Sequence, residues 1–234
     1  MESIDKIEGT FEKRLADVGD KTSVSLAVIR RLPRYHRYLG ELMRDGKMRI
    51  SSAELSRIMG VTASQIRQDF NCFGGFGQQG YGYNVKYLYG KIGDLLGISE
   101  GYRAVIVGAG NLGRALASSR MFMRRGVTCI GLFDVDPELV GKSFAGIPVY
   151  HVDTLSEFCR ENDVAIGVLT VPKESALAVA DTLSSAGVKG IWNFANNELC
   201  PNENTVVENV HLGDSLMTLC YAMKTAGEKN GGGE

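Results

Sequence analysis

The spacing of hydrophobic positions changes character near residue 95. Upstream, apolar residues recur at helical intervals. Pro33 is placed to open a helix, Tyr35, Leu39 and Leu42 follow on one face, and Gly46 stops it. Leu55, Ile58 and Met59 give a second short helix closed by Gly60, and Ile66 and Phe70 anchor a third. Downstream, short β-branched runs alternate with amphipathic stretches: Arg103 to Val107, Thr128 to Phe133, Ile147 to Tyr150, Val164 to Thr170 and Gly190 to Phe194. Strands separated by helical segments predict βαβ units and a parallel sheet, so the fold class is α/β. Lys91 to Gly97 reads as a helix ending at a glycine, which sets the expected boundary between the halves at residues 97 and 98.

The two short upstream helices start with capping signals. Ser51-Ser52-Ala53-Glu54 is a capping box, in which the serine oxygen accepts from an orphan amide and the glutamate reaches back. Thr62-Ala63-Ser64-Gln65 repeats the pattern. Two capped helices around a tight glycine turn predict a helix-turn-helix. Its second helix then turns Ala63, Ser64, Arg67, Gln68 and Asn71 outward. Small residues allow close approach to a groove, arginine suits guanine or phosphate, and an amide suits adenine. From Phe73 to Tyr83, five glycines interleave with aromatics, which predicts a tight hairpin serving as a wing. Ser51 and Ser52, with Gln79 and Tyr83 of the hairpin, join the candidate DNA-facing set, and Arg30, Arg31, Arg34 and Arg37 are candidate phosphate contacts. A helical hairpin with a polar surface, and a hairpin used only for packing, are the alternatives.

The downstream half opens with a different chemistry. The Arg103 to Val107 strand leads into Gly108-Ala109-Gly110-Asn111-Leu112-Gly113, and an expected helix from Arg114 to Arg125 follows. G-x-G-x-x-G between strand and helix is the dinucleotide fingerprint of a Rossmann-type domain. Its first glycine permits the turn, its second admits a pyrophosphate, and its third packs helix on strand. The next strand ends in Asp134, about 20 residues on, where an acid hydrogen-bonds the adenosine ribose and favours NAD(H) over NADP(H). Thr170-Val171-Pro172 and Asn193-Phe194-Ala195 end later strands and are candidates for the other half of the dinucleotide, ordinary strand-to-loop turns being the alternative.

Charge supports the division. Lys21 to Lys91 holds 12 basic against 4 acidic residues, and residues 101–234 hold 11 against 15, although the whole chain carries only −1. A basic and an acidic half fit a nucleic-acid module joined to a small-molecule module. No apolar run approaches a membrane span or a signal peptide, so a cytoplasmic protein without a membrane is expected. Five scattered cysteines read as reduced, buried thiols, with no metal site. His36, His151 and His211 stand in no catalytic motif, and Tyr87 with Lys91 makes a Y-x-x-x-K on the wrong side of the fingerprint. Binding without turnover, and no catalytic residue, is the expectation.

Several segments together resemble the Rex family of bacterial redox-sensing transcriptional repressors. They are Arg31 to Leu39, Thr62 to Arg67, Gly80 to Val85, the glycine fingerprint, Phe133 to Pro137 and Leu169 to Pro172. The resemblance implies a homodimer with an N-terminal winged helix, a Rossmann domain and a C-terminal helix swapped across the dimer. It also implies a palindromic double-stranded operator that is released when NADH binds. Composition makes residues 1–20 a flexible tail and 228–234 a disordered one, and with the resemblance the expected domains are 21–97 the winged helix, 98–210 the Rossmann domain and 211–227 the swapped helix. The resemblance further aligns Arg37, Ser119 and His211 with a coupled arginine, tyrosine and aspartate of the redox switch, with Asp214 one turn later. The chain departs from the family at Gln68 and Gln79, which replace cations, and at Ser119, His211 and Leu212. His211 reads either as a helix cap or as a source of pH sensitivity. Two other functions stay open: a small NAD-dependent oxidoreductase, and a repressor that has lost the distinction between NADH and NAD+.

Overall fold

The computed structural model describes residues 25–73, 77–78, 81–199 and 204–230. The second of two compact units begins at Tyr102, four residues beyond the expected boundary. The preceding helix stops at Leu95, Gly97 just beyond it takes the left-handed conformation, and a 3-10 turn over Ile98–Glu100 follows before Gly101. The expected tail at 1–20 and the wing residue Gln79 lie outside the described residues.

The first unit runs α1 (Leu26–Arg44), β1 (Arg49–Ile50), α2 (Ser52–Met59), α3 (Ala63–Asn71), β2 (Gly77–Gln78), β3 (Gly82–Asn84) and α4 (Val85–Leu95). The three strands form an antiparallel sheet ordered β1-β3-β2, the arrangement of a winged helix. Pro33 lies inside α1 rather than at its start. Val28, Leu32, Tyr35 and Leu39 form one buried stripe on both sides of the proline, and their burial outweighs a single missing helical donor. In α2, Leu55 and Met59 are buried four residues apart, whereas Ile58, expected on the same face, is exposed. Gly82 is indispensable to the hairpin: its φ is +70°, and a Cβ there would lie 2.8 Å from the Ile50 carbonyl oxygen.

The second unit runs β4 (Tyr102–Val107), α5 (Asn111–Ser118), β5 (Val127–Asp134), β6 (Ser143–Phe144), β7 (Ile147–His151), α6 (Leu155–Glu161), β8 (Ile166–Leu169), α7 (Lys173–Ser185), β9 (Gly190–Asn193), β10 (Val206–Asn209) and α8 (Leu212–Asn230). The sheet order is β10-β9-β8-β4-β5-β7-β6, parallel except for the edge pair β6 and β7. Its six parallel strands, numbered along the chain, lie in the doubly wound order 3-2-1-4-5-6. The order reverses between β4 and β8, so their carboxyl ends flank the crevice. Successive β4 residues enter opposite cores, Val105 and Val107 on one face and Ile106 on the other. That two-sided burial is why the strand reads as a continuous apolar run.

Three expectations for this unit need correction. The helix after the fingerprint stops at Ser118, because Ser119 is extended (ψ 135°), and only a 3-10 turn over Met123–Arg125 follows. The C-terminal helix continues to Asn230, into the stretch expected to be disordered. Strands β6 and β10 were not foreseen. Along α8, Leu212, Leu216, Leu219 and Met223 are each more than half exposed. No helix among the described residues is long and apolar enough to cross a membrane.

Candidate functional site

The fingerprint folds into a tight turn between β4 and α5, and its three glycines answer three different demands. Gly108 has φ +100°, and a Cβ on it would lie 2.5 Å from the Thr170 carbonyl oxygen. A Cβ on Gly113 would lie 1.9 Å from the Gly108 carbonyl oxygen, so helix and strand approach only because it is absent. Above Gly110 there is nothing within 4 Å: this glycine faces open space. The amides of Asn111, Leu112 and Gly113 fall in the first turn of α5, where a helix supplies no acceptor and its dipole favours an anion.

Asp134 ends β5 beside this turn. Its Oδ2 accepts the Ala109 amide at 2.6 Å and its Oδ1 accepts the Asp136 amide at 3.0 Å. Gly108, Gly110, Asp134, Thr170, Val171 and Pro172 help line a cleft of about 280 Å³, closed by Val135, Val152, Ser175 and Val179. The valines and Ser175 were not singled out from sequence, and only Val135, adjoining Asp134, had a signal to find it. Thr170 donates its hydroxyl to the Gly108 carbonyl at 2.8 Å, with the Val107 carbonyl at 3.1 Å. Asn193-Phe194-Ala195 is not among the cleft residues. The buried Asn193 amide donates to the Asn197 carbonyl and to Asn209 Oδ1, both at 2.8 Å, and its oxygen accepts the Ala195 amide. Phe194 packs edge-on against Trp192, and Ala195 is buried.

In the first unit, Ser64, Arg67, Gln68 and Asn71 are exposed along α3, with Ala63 half-buried at its start. Arg67 Nη1 donates to Ser52 Oγ at 3.1 Å, so two predicted DNA-facing residues do meet. The opposite side of α3 holds a feature that sequence reading missed. Asp69 is fully buried and accepts four hydrogen bonds: Arg31 Nε at 2.7 Å, Arg31 Nη2 at 2.8 Å, Tyr35 Oη at 2.7 Å and Gln65 Nε2 at 2.8 Å. Burial pushes its carboxyl up, but these donors outweigh that and hold it below the usual carboxylate range. The same cluster, burial first and Asp69 next, raises the Tyr35 phenol far above its ordinary value.

Several of the DNA-facing candidates have partners within this unit. Arg31 gives Nε and Nη2 to Asp69, and the exposed Arg34 donates to the Met59 carbonyl at the end of α2. Ser51 is occupied by the capping box: its Oγ accepts the Glu54 amide, while Glu54 Oε2 accepts both the Ser51 amide and its hydroxyl. Lys47, then Ser51, lower the Glu54 carboxyl to about 2. The second box is half formed, because Thr62 caps Gln65 but the Gln65 side chain goes to Asp69. Tyr83 packs edge-on against Phe70, and burial raises its phenol. Arg30 and Arg37 are exposed on α1, the latter 5.2 Å from the Tyr38 ring.

Of the switch candidates, Ser119 Oγ accepts the Met121 amide, and His211 Nε2 meets Glu198 Oε1 at 2.7 Å. Asp214, exposed in the first turn of α8, uses its amide on the His211 carbonyl. Cys72 and Cys220 are exposed, contrary to the buried expectation, while burial raises the Cys129 and Cys159 thiols to about 11. Cys200 lies outside the described residues. Among the described residues no three His, Cys, Asp or Glu side chains are grouped to hold a metal.

A winged helix ahead of a doubly wound sheet, with a glycine turn after the sheet's first strand, defines a two-module class: one module shaped for DNA, one for a nucleotide. Residues 23–71 match a family described as putative DNA-binding protein N-terminus, and residues 99–197 match the CoA binding domain. The redox-sensing transcriptional repressor Rex of Caldicellulosiruptor saccharolyticus is 55% identical over 87% of this chain and 93% of its own length. The Rex protein of Clostridium tetani is 51% identical over 87% and 96%. RSP, a Rex-family repressor, has been solved with beta-NAD+ and operator DNA; it shares 50% identity at a TM-score of 0.82 over 88% of this chain and 95% of that one. Its complex with beta-NADH shares 47% identity, also at 0.82, over 88% and 97%. The chain therefore belongs to the Rex family of redox-sensing transcriptional repressors.

Proposed function

We propose that this protein is a cytoplasmic, homodimeric, non-catalytic repressor that binds a palindromic operator through its winged helix and leaves it when NADH fills the glycine-turn cleft. The observation that carries the reading is the open space above Gly110, set between the first-turn amides of α5 and the Asp134 carboxylate. A cradle with no Cβ where a pyrophosphate would rest, beside an acceptor at the neighbouring strand's tip, fits the adenosine half of a dinucleotide. In this reading Gly108 to Gly113 hold the pyrophosphate, Asp134 accepts a ribose hydroxyl, and Val135, Val152, Val171 and Val179 flank the adenine. Thr170 shapes the turn from within the cleft lining.

When bound, the dinucleotide supplies a nicotinamide ring whose charge differs by one between its oxidation states. The protein's part is to hold the adenosine end equally for both states and to respond at the other end. The exposed apolar residues of α8 support the dimer, since a second copy would cover them. Arg67, Ser52, Ser64, Gln68 and Asn71 form the DNA-reading face, and a two-fold dimer sets half-sites about 10 base pairs or a multiple apart. Among the cleft residues, Asp134 is the sole titratable side chain and already accepts two amides, which supports binding without turnover.

Titrating operator release with NADH, NAD+ and ATP tests the reading, NADH being the expected effector. An operator complex that survives saturating NADH sinks redox sensing. Asp134→Ala is expected to weaken NADH about tenfold, the loss of a charged hydrogen-bond acceptor; unchanged affinity overturns the ribose assignment. A second reading, a repressor answering adenine nucleotides without reading their oxidation state, is favoured by His211. In the switch position that the family gives to an aspartate, it is engaged by Glu198 of the same chain. Equal release by NADH and NAD+ is its signature.

A further inference from the structure

Arg114, which the fingerprint does not include, is the fourth residue of α5 and is half-buried. Its side chain bends back toward the glycine turn. Nε donates to the Gly110 carbonyl at 3.3 Å, Nη2 donates to Asn111 Oδ1 at 3.2 Å, and the guanidinium lies 5.1 Å from the centre of the Phe144 ring. All three neighbours are uncharged, and none of the ion pairs among the described residues includes Arg114. A guanidinium carries five donors in a rigid fork, so several remain for another acceptor.

The placement is costly unless an anion arrives. Holding an arginine side chain in one geometry forfeits rotamer entropy. A cation leaning toward the N-terminus of a helix also opposes the helix dipole, which there favours negative charge. Yet the ring of Phe144, on the edge strand β6, and the Asn111 amide oxygen hold the cation beside Gly110, above which there is open space. A pre-ordered cation with donors to spare, next to the first-turn amides of α5, has the form of a phosphate clamp.

We infer that Arg114 is a further ligand contact of the cleft, meeting the pyrophosphate of adenosine diphosphate-type nucleotides from the α5 side. The inference rests on the nucleotide reading above and adds a cation to a cradle otherwise built from backbone amides. It makes affinity for phosphorylated ligands salt-dependent, whereas the Asp134 contact to the sugar is not.

The test measures NADH, NADPH, ADP and adenosine binding by calorimetry on the full-length wild type, Arg114→Ala, Arg114→Lys and Asp134→Ala proteins, at low and high salt. Arg114→Ala is expected to weaken NADH and ADP about tenfold, leave adenosine unchanged and flatten the salt dependence. Arg114→Lys, which keeps the charge but not the fork, is expected to fall between and guards against a variant that does not fold. Normal NADH affinity in Arg114→Ala, with a loss in Asp134→Ala, overturns the inference and spares the site. No loss in either variant removes both. An equal loss for adenosine marks a distorted turn and also overturns it. A loss confined to NADPH moves the contact to a ribose phosphate and refutes the pyrophosphate assignment.

Discussion

The two units present a helix to a ligand by opposite means. In the winged helix, the outward face of α3 is fixed from behind by a buried polar cluster: Asp69 accepts from Arg31, Tyr35 and Gln65 and ties α3 to α1. In the doubly wound unit, the N-terminus of α5 is fixed by missing atoms, since a Cβ on Gly113 or Gly108 would strike backbone. One device is electrostatic and the other steric. A fully satisfied buried network costs little until a member is removed, and then leaves charge or donors stranded. A steric device has no charge to titrate, and any added atom breaks it.

The largest expected effect therefore lies on the steric side. Gly113→Ala must open the turn, because the intruding contact is with a carbonyl oxygen of the backbone, and should cost about 4 kcal/mol or more. Gly110→Ala separates fold from function. Its Cβ meets nothing in the protein, so the melting temperature should hold while dinucleotide affinity falls about tenfold to a hundredfold through overpacking against ligand. Thermal denaturation with calorimetric titration of both variants checks the pair. A Gly110→Ala protein that binds as wild type would erase the cradle.

On the electrostatic side, Asp69→Ala strands Arg31, the Tyr35 hydroxyl and Gln65, and should cost about 3–5 kcal/mol. Hydrogen exchange along α3 and urea denaturation measure it, and operator affinity should fall while NADH affinity does not. The cluster also predicts pH limits that the glycine turn lacks. Asp69 has a folded pKa below its unfolded value of about 4, so its contribution is present above that range and fades as pH falls through the lowered value. Tyr35 runs the other way: its raised pKa keeps stability below about pH 10 and forfeits it as alkali ionises the unfolded phenol first. Glu54, lowered to about 2, fades in acid as well. The diagnostic is thus the difference between wild type and Asp69→Asn, whose stability should show less acid loss below about pH 4; identical acid profiles would remove Asp69 as its source.

What was legible in the sequence follows the same division. The glycine turn was readable because its constraint is local and nearly unique: few residue types tolerate φ of +100° or a vanished Cβ, so spacing alone declares them. The Ser51 capping box closes within three residues and was readable for the same reason. Asp69 was not, since its partners Arg31 and Tyr35 stand 38 and 34 residues away and nothing local marks a carboxylate as buried. That distance also hid the Arg31 and Asp69 pair from sequence reading. Pro33 misled because a proline that opens a helix and one tolerated inside it look alike without the upstream stripe of Val28 and Leu32. The end of α5 at Ser118 and Ser119 carries no glycine or proline to announce it. Strand β10 offers only Val206 and Val207 between polar residues, too little periodicity for a sheet edge.

Thr170 is where the two devices meet, and it yields the smallest effect and the finest test. Its hydroxyl donates to the Gly108 carbonyl, the same oxygen that a Cβ on Gly113 would strike. A hydrogen bond thus steadies the atom on which the steric device turns. Thr170→Val keeps the branched shape and removes the donor, with an expected cost of about 1 kcal/mol in stability. If the bond also holds the cradle open, dinucleotide affinity should fall about two- to fivefold, and Thr170→Ser should restore it. A Thr170→Val protein with lower stability but unaltered affinity would mean that the glycines alone set the turn. Sterics would then suffice for the nucleotide site, and polar clamping would belong to the DNA-reading unit only.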